Sequence, residues 1–340
     1  MAETPRAPDL GSLTKKKRER VSSREQRTAL VIGGMGSFGA GIVNEHVEQG
    51  RPVRALVRDV PEAVRRFGSY TKANFHEGDV FDPDSLREAA RGCSVIYHAV
   101  GFPMSKQDPA MRVATENIVA CAKEAGAAIV FPGNVWSFGP QHGSRLAEIA
   151  ETHPDSKKGR LRLELEERLR EATKRGDARV LIVRSGDLFG PTVRNAYHDG
   201  IFKSAMEGKG LLALGSLDAP HQFAYVPDLA RVCIKLSDAI ERLVPFETFH
   251  FAGHTFERQQ DFYGKVIECA EDDSLKVKKS SWLALRGAGL VNKDLKELIE
   301  LKYLWEEGVL LDDTRLRRVW PKFALTPIEP AIARTLASYR

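Results

Sequence analysis

The segment ValIleGlyGlyMetGlySerPheGly, residues 31 to 39, limits the folds open to this chain more than any other. It closes an apolar run beginning at Thr28 and opens a helix-like stretch from about Phe38 to Glu48. Its glycines fit two spacings, GxGxxG through Gly34, Gly36 and Gly39 and GxxGxxG through Gly33, Gly36 and Gly39. Both do the same physical work. Without side chains the backbone turns sharply out of a strand and lets a pyrophosphate approach the helix N-terminus, where free N–H groups and the positive dipole end favour an anion. Ser37 and Phe38 fall in that first turn. A glycine triplet alone is weak evidence, but one set between a strand and a helix meets the context a dinucleotide site requires.

The surrounding pattern supplies that context. Strand-like runs at ProValArgAlaLeuValArg (52–58), AsnPheHisGluGlyAspVal (74–80), SerValIleTyrHisAlaVal (94–100), AlaIleValPhe (128–131) and ArgValLeuIleValArg (179–184) alternate with helical stretches around 61–67, 109–125 and 158–174. Strand-helix-strand repetition predicts a doubly wound parallel α/β sheet of the Rossmann type with right-handed crossovers. Val226 to Leu243 and Thr248 to Ala252 read as one more helix and strand of that sheet, whereas 195–214 and 272–318 are looser. The expected division is therefore a dinucleotide-binding domain at 27–190 plus 224–272, and a smaller, discontinuous substrate domain at 191–223 plus 273–340.

Charge narrows the function classes. The chain has 51 Lys and Arg against 46 Asp and Glu, but residues 1–27 hold eight and four of these, leaving 43 against 42. Residues 1–26 lack apolar periodicity and predict a disordered basic tail, and the nearly neutral remainder gives no reason to expect a nucleic-acid partner. Four scattered cysteines without a CxxC pair suggest neither zinc ribbon nor redox dithiol. His250 and His254 sit in a strand-like run, so no metal site is expected. No apolar stretch reaches about 18 residues, which predicts a cytoplasmic protein without a membrane partner. A small-molecule substrate is expected, and a homodimer is allowed for.

Five further motifs carry a resemblance: GlyAspValPheAsp (78–82), TyrHisAlaValGly (97–101), AsnValTrpSerPheGlyPro (134–140), ArgSerGlyAspLeuPheGlyPro (184–191) and TyrValProAspLeuAla (225–230). In order and spacing the chain resembles the extended short-chain dehydrogenase/reductases, the NAD-dependent epimerase/dehydratase group, from about Thr28 onward. The resemblance implies that Asp79 and the backbone of Val80 meet the adenine. It also implies that Ala99, Val100 and Gly101 run beside the riboses, and that 184–191 leads into the substrate pocket. Where NAD-specific members carry an acid at the end of the second strand, this chain has Arg58, which suits a 2′-phosphate and favours NADP over NAD. Asp59 follows directly and could still reach a ribose.

The family's Tyr-x-x-x-Lys pair is missing. Aligning the helix puts Lys158 at the tyrosine position and Arg162 at the lysine position, and Asn134 replaces the usual serine or threonine. Asn134 can donate a hydrogen bond to a substrate oxygen, and Arg162 can hold ribose hydroxyls. Lys158 is a candidate proton donor if burial lowers its pKa; the competing account is a solvated Lys157–Lys158 pair. Tyr225, His221 and Tyr197 are further candidates. Two functions follow: an NAD(P)-dependent oxidoreductase or epimerase, or a non-catalytic dinucleotide sensor.

Overall fold

The computed structural model describes residues 28–68, 71–141 and 145–340. The basic tail expected at 1–26 lies outside the described residues. Seven parallel strands form the central sheet, in the order Phe246–Phe251, Val180–Ser185, Ala128–Asn134, Cys93–His98, Thr28–Ile32, Val53–Val57 and Asn74–Glu77. Chain order runs outward from Thr28–Ile32 on one side, then restarts at Cys93–His98 and runs outward on the other. This is the doubly wound Rossmann arrangement, and its switch point lies between those two strands.

Parallel strands are covered on both faces, so they read as continuous apolar runs whose alternate side chains go to opposite layers. Val31, Tyr97, Val130, Leu181 and Phe249 pack with Ile42 and Val43 of the helix Ser37–Glu48 and with Leu229 and Val232 of the helix Val226–Ser237. Leu30, Ile32, Ile96, Ile129 and Ile182 face the other way, onto Leu86, Met111, Ile118 and Leu165. Those four residues lie on the helices Pro83–Ala90, Gln107–Ala125 and Lys157–Lys174. Side-chain caps set several helix starts: Asp59 accepts from Glu62 N at 2.8 Å, and Ser156 from Gly159 N at 3.0 Å.

The remaining elements are short. Asp187–Phe189, His221–Tyr225 and His254–Phe256 form one small sheet, and Leu211–Ala213 pairs with Val277–Lys279. Around them Phe189, Phe202, Phe223, Phe262, Tyr263 and Ile332 build a separate aromatic cluster. The helix Gln259–Ala270, which the expected division gave to the dinucleotide domain, contributes Phe262, Tyr263 and Val266 to this second cluster. Conversely, Leu316, Val319 and Phe323 pack beneath the central sheet.

Candidate functional site

A cleft of about 910 Å3 opens at the carboxyl ends of the strands where the order reverses, the position at which open α/β sheets take ligands. Gly33, Gly36, Ser37 and Phe38 line one wall, and Ala99, Val100 and Gly101 the wall beside it. Gly33 has a φ of +91° and no room for a side chain, since a Cβ there would sit 2.5 Å from the Ala99 carbonyl oxygen. Its carbonyl accepts from Gly36 N at 2.9 Å, closing the turn. A Cβ at Gly39 would run into that same carbonyl. Gly34 instead faces Ala55 of the next strand, so of the two fingerprints the set Gly33, Gly36 and Gly39 shapes the turn. Gly36 caps the helix without a side chain, which leaves first-turn N–H groups open to an anion.

The far end of the cleft carries Arg58, Asp59, Arg66, Asp79 and Val80. Arg58 is exposed and engaged in no side-chain hydrogen bond or ion pair among the described residues. Asp59 is occupied in capping its helix. Arg66, which the sequence did not single out, donates to the Met35 carbonyl of the glycine turn and at 3.4 Å to the Thr192 carbonyl. Burial and the neighbouring Arg194 lower its pKa. The Asp79 carboxylate accepts from Phe81 N at 2.9 Å, and Phe81 stacks on Phe102 across 5.7 Å.

At the opposite end stand Asn134, Arg162, Ser185 and Asp187. Asn134 Oδ1 accepts from Trp136 N at 3.0 Å, which turns Nδ2 free to donate. The Arg162 guanidinium lies 5.7 Å from the Phe131 ring centre and 5.6 Å from that of Trp136, with no hydrogen bond or ion pair among the described residues. Burial brings its pKa down to about 10. Ser185 pairs in register with Asn134, so Asp187 follows two residues beyond Asn134's partner. Asp187 Oδ2 accepts from His221 Nε2 at 2.9 Å and from Trp305 Nε1 at 3.1 Å.

Three candidate residues stand elsewhere. Lys158 does not line the cleft: it is 3% exposed, its ammonium pairs with Glu297, and it donates to the Met104 carbonyl. The first turn of its helix, capped by Ser156, aims it at the helix Lys293–Ile299 rather than at the pocket. Tyr225 ends its strand inside the aromatic cluster, its ring 5.2 Å from that of Phe189, and also does not line the cleft. Tyr197 is half-buried at the edge of the same cluster and does not line the cleft either, its hydroxyl 3.2 Å from that of Tyr263. Besides Arg66, sequence reasoning missed Asp187, although it stands within the quoted motif ArgSerGlyAspLeuPheGlyPro. Among the described residues no three His, Cys, Asp or Glu side chains converge on a metal-sized site.

The model of the NAD dependent epimerase/dehydratase family matches residues 29–252. An uncharacterised protein of Sinorhizobium fredii is 26% identical over 257 residues, 73% of this chain and 62% of its own length. Eugenol synthase 2 of Clarkia breweri is 34% identical over 105 residues, 28% of this chain and 31% of its own. The chain thus spans less than two thirds of either relative. Among solved structures, the Bordetella bronchiseptica enzyme WbmH in complex with NAD+ matches with a TM-score of 0.71 at 18% identity, covering 92% of this chain and 98% of that one. The UDP-N-acetylglucosamine 4-epimerase from Bacillus cereus matches with a TM-score of 0.70 at 16% identity, covering 92% and 96%. At these identities the likeness is one of fold.

Proposed function

The chain belongs to the NAD-dependent epimerase/dehydratase family, and from that premise we propose that it is an NAD(P)-dependent oxidoreductase or epimerase acting on a small molecule. One observation carries the reading: a tight glycine turn and a helix N-terminus with no side-chain cap share one cleft with an amide donor, a guanidinium without a hydrogen-bond partner among the described residues and a carboxylate–imidazole pair. The residues fit a dinucleotide, whose nicotinamide would accept or deliver a hydride at a carbonyl or alcohol carbon. Gly33, Gly36, Ser37, Phe38 and Gly39 shape the pyrophosphate seat, Asp79 and Val80 the adenine end, and Ala99, Val100 and Gly101 the wall between. Asn134 Nδ2 donates to the substrate oxygen, and Arg162 holds ribose hydroxyls or an anionic substrate group. Asp187, backed by His221, takes the hydroxyl proton during oxidation and returns it during reduction. Lys158 has no part in that transfer in this reading.

The cofactor we assign is NADP(H). Arg58 is unpaired at the cleft's adenosine end while Asp59, its rival for the ribose, is spent on a helix cap. A charge-assisted bond to a 2′-phosphate is worth roughly 1.5–3 kcal/mol, about ten- to a hundredfold in affinity. Titrating NADPH and NADH against wild type and Arg58→Ala is expected to show a preference for NADPH that the variant loses. Equal wild-type affinities would remove this assignment.

A sensor that binds dinucleotide without turning it over is the second reading, favoured by the burial of Lys158 and Tyr225 away from the cleft. Following NADPH consumption with a panel of aldehydes and ketones, and epimer formation from nucleotide sugars in the presence of bound dinucleotide, separates the two. Turnover of any panel member, lost in Asp187→Asn, supports the enzyme; tight NADPH binding with no turnover throughout supports the sensor.

A further inference from the structure

The helix Trp282–Gly289 is apolar on both of its faces. Trp282 and Leu285 turn inward, packing with the cluster around Trp305 and Leu304, and Trp282 Nε1 donates to Glu306. On the outer side Leu283 is 78% exposed and Leu290, seven residues on and still helical in backbone, is 87% exposed. That spacing sets both on one face two turns apart, and Val291 beside them is 91% exposed. Large aliphatic side chains in a row on a helix belong in a core or at a lipid boundary, and nothing among the described residues covers these.

The charges around these side chains indicate what does. Residues 276–296 hold Lys276, Lys278, Lys279, Arg286, Lys293 and Lys296 against a single acid, Asp294. All six cations are exposed, and none makes a side-chain hydrogen bond or ion pair among the described residues. The acids at hand are turned onto the body of the protein: Asp294 accepts from Ser105 N at 2.7 Å, Glu297 pairs with Lys158, and Glu300 accepts from Lys157 N at 2.9 Å. Arg286 on this helix, and Lys293 and Lys296 on the helix Lys293–Ile299 packed beside it, thus set unneutralised cations as a partial ring beside the bare aliphatic side chains. A second copy is a poor occupant, because a two-fold contact would set this basic ring against itself.

We propose that the outer face formed by Leu283, Leu290 and Val291, with its basic ring, docks on an anionic lipid surface, the aliphatic side chains entering the acyl boundary and the cations meeting the headgroups. Among the described residues no helix is long and apolar enough to cross a membrane, so the proposed contact is peripheral. Asp294 ties this face to the turn Met104–Lys106, whose Lys106 lines the cleft. The inference does not depend on the proposed catalytic activity.

Cosedimentation of the full chain with vesicles of phosphatidylcholine, alone or mixed with phosphatidylglycerol, tests it. Binding is expected with the mixed vesicles only and weakens with added salt. It falls more than about tenfold both in Leu283→Ser/Leu290→Ser/Val291→Ser and in Lys293→Glu/Lys296→Glu. Both variants should melt like wild type, since the replaced side chains touch little else. The basic tail is present in every variant, so it cannot produce the difference. No sedimentation with the mixed vesicles, binding that survives both variants, or a dimer in solution that only the serine variant breaks would each overturn the proposal.

Discussion

Lowering the pH from about 7.5 to about 5.5 is expected to remove on the order of 5 kcal/mol of folding stability. His46, His98, His198 and His250 are all buried, and burial first of all drives each imidazole down to about 3. In the unfolded chain each titrates near 6.5, so between these values the unfolded state binds protons that the folded state refuses. Stability is complete above 6.5, falls as the pH drops below it, and stops falling near 3. One unit below 6.5 each histidine contributes about 1.4 kcal/mol of loss. Glu45 and Glu148, whose carboxyls are raised mainly by burial, act in the opposite direction and trim the total. Against a usual folding stability of about 5–15 kcal/mol the effect is large. Urea unfolding at the two pH values measures it, and equal midpoints would show that the imidazoles are not held neutral in the interior.

The second large effect concerns turnover. With a substrate identified, Asp187→Asn is expected to lower kcat by about 10²- to 10⁴-fold, the usual contribution of a positioned acid or base. Asn134→Ala should lower it by about 10²- to 10³-fold through loss of the amide donor. NADPH affinity should change little in either, because both side chains lie at the substrate end. His221→Gln is expected to act more mildly and to move the pH profile, since the imidazole meets Asp187 and not the reacting carbon. Lys158→Ala behaves differently: it strands Glu297 and lowers stability by about 3 kcal/mol, while turnover per folded molecule is kept. Normal kcat in Asp187→Asn, or a catalytic loss confined to Lys158→Ala, would return the proton to the lysine.

The contrast between Asp187 and Lys158 shows where reading a sequence stops. Parallel strands such as Leu30–Ile32 and Leu181–Val183 are legible because burial on both faces makes them unbroken apolar runs bounded by helical periodicity. The glycine turn is legible because only glycine fits where a Cβ would strike a carbonyl. The helix Pro83–Ala90 gives little periodic signal, since only Leu86, Ala89 and Ala90 of its eight residues are buried. The strands of the small sheets, most of them two or three residues long, fall below any periodic signal. Alignment placed Lys158 at a position on a helix but could not say which way its first turn faces. Asp187 joins His221 and Trp305, 34 and 118 residues away along the chain, and such a pairing exists only after folding.

Everything catalytic in this account depends on a dinucleotide seated over the glycine turn. Titrating NADPH into wild type and Gly36→Asp, followed by protein fluorescence, tests that seat directly. Gly36 has a φ of −77°, which any residue adopts, and a Cβ there meets its nearest atom, Gly33 O, at 3.2 Å, so aspartate can be built with small local adjustment. Its carboxylate would stand where the pyrophosphate belongs. The account predicts saturable binding to wild type and a loss of at least about a hundredfold in the variant, with its melting temperature nearly unchanged. A wild type that binds neither NADPH nor NADH, or a variant that binds as tightly as wild type, would contradict it.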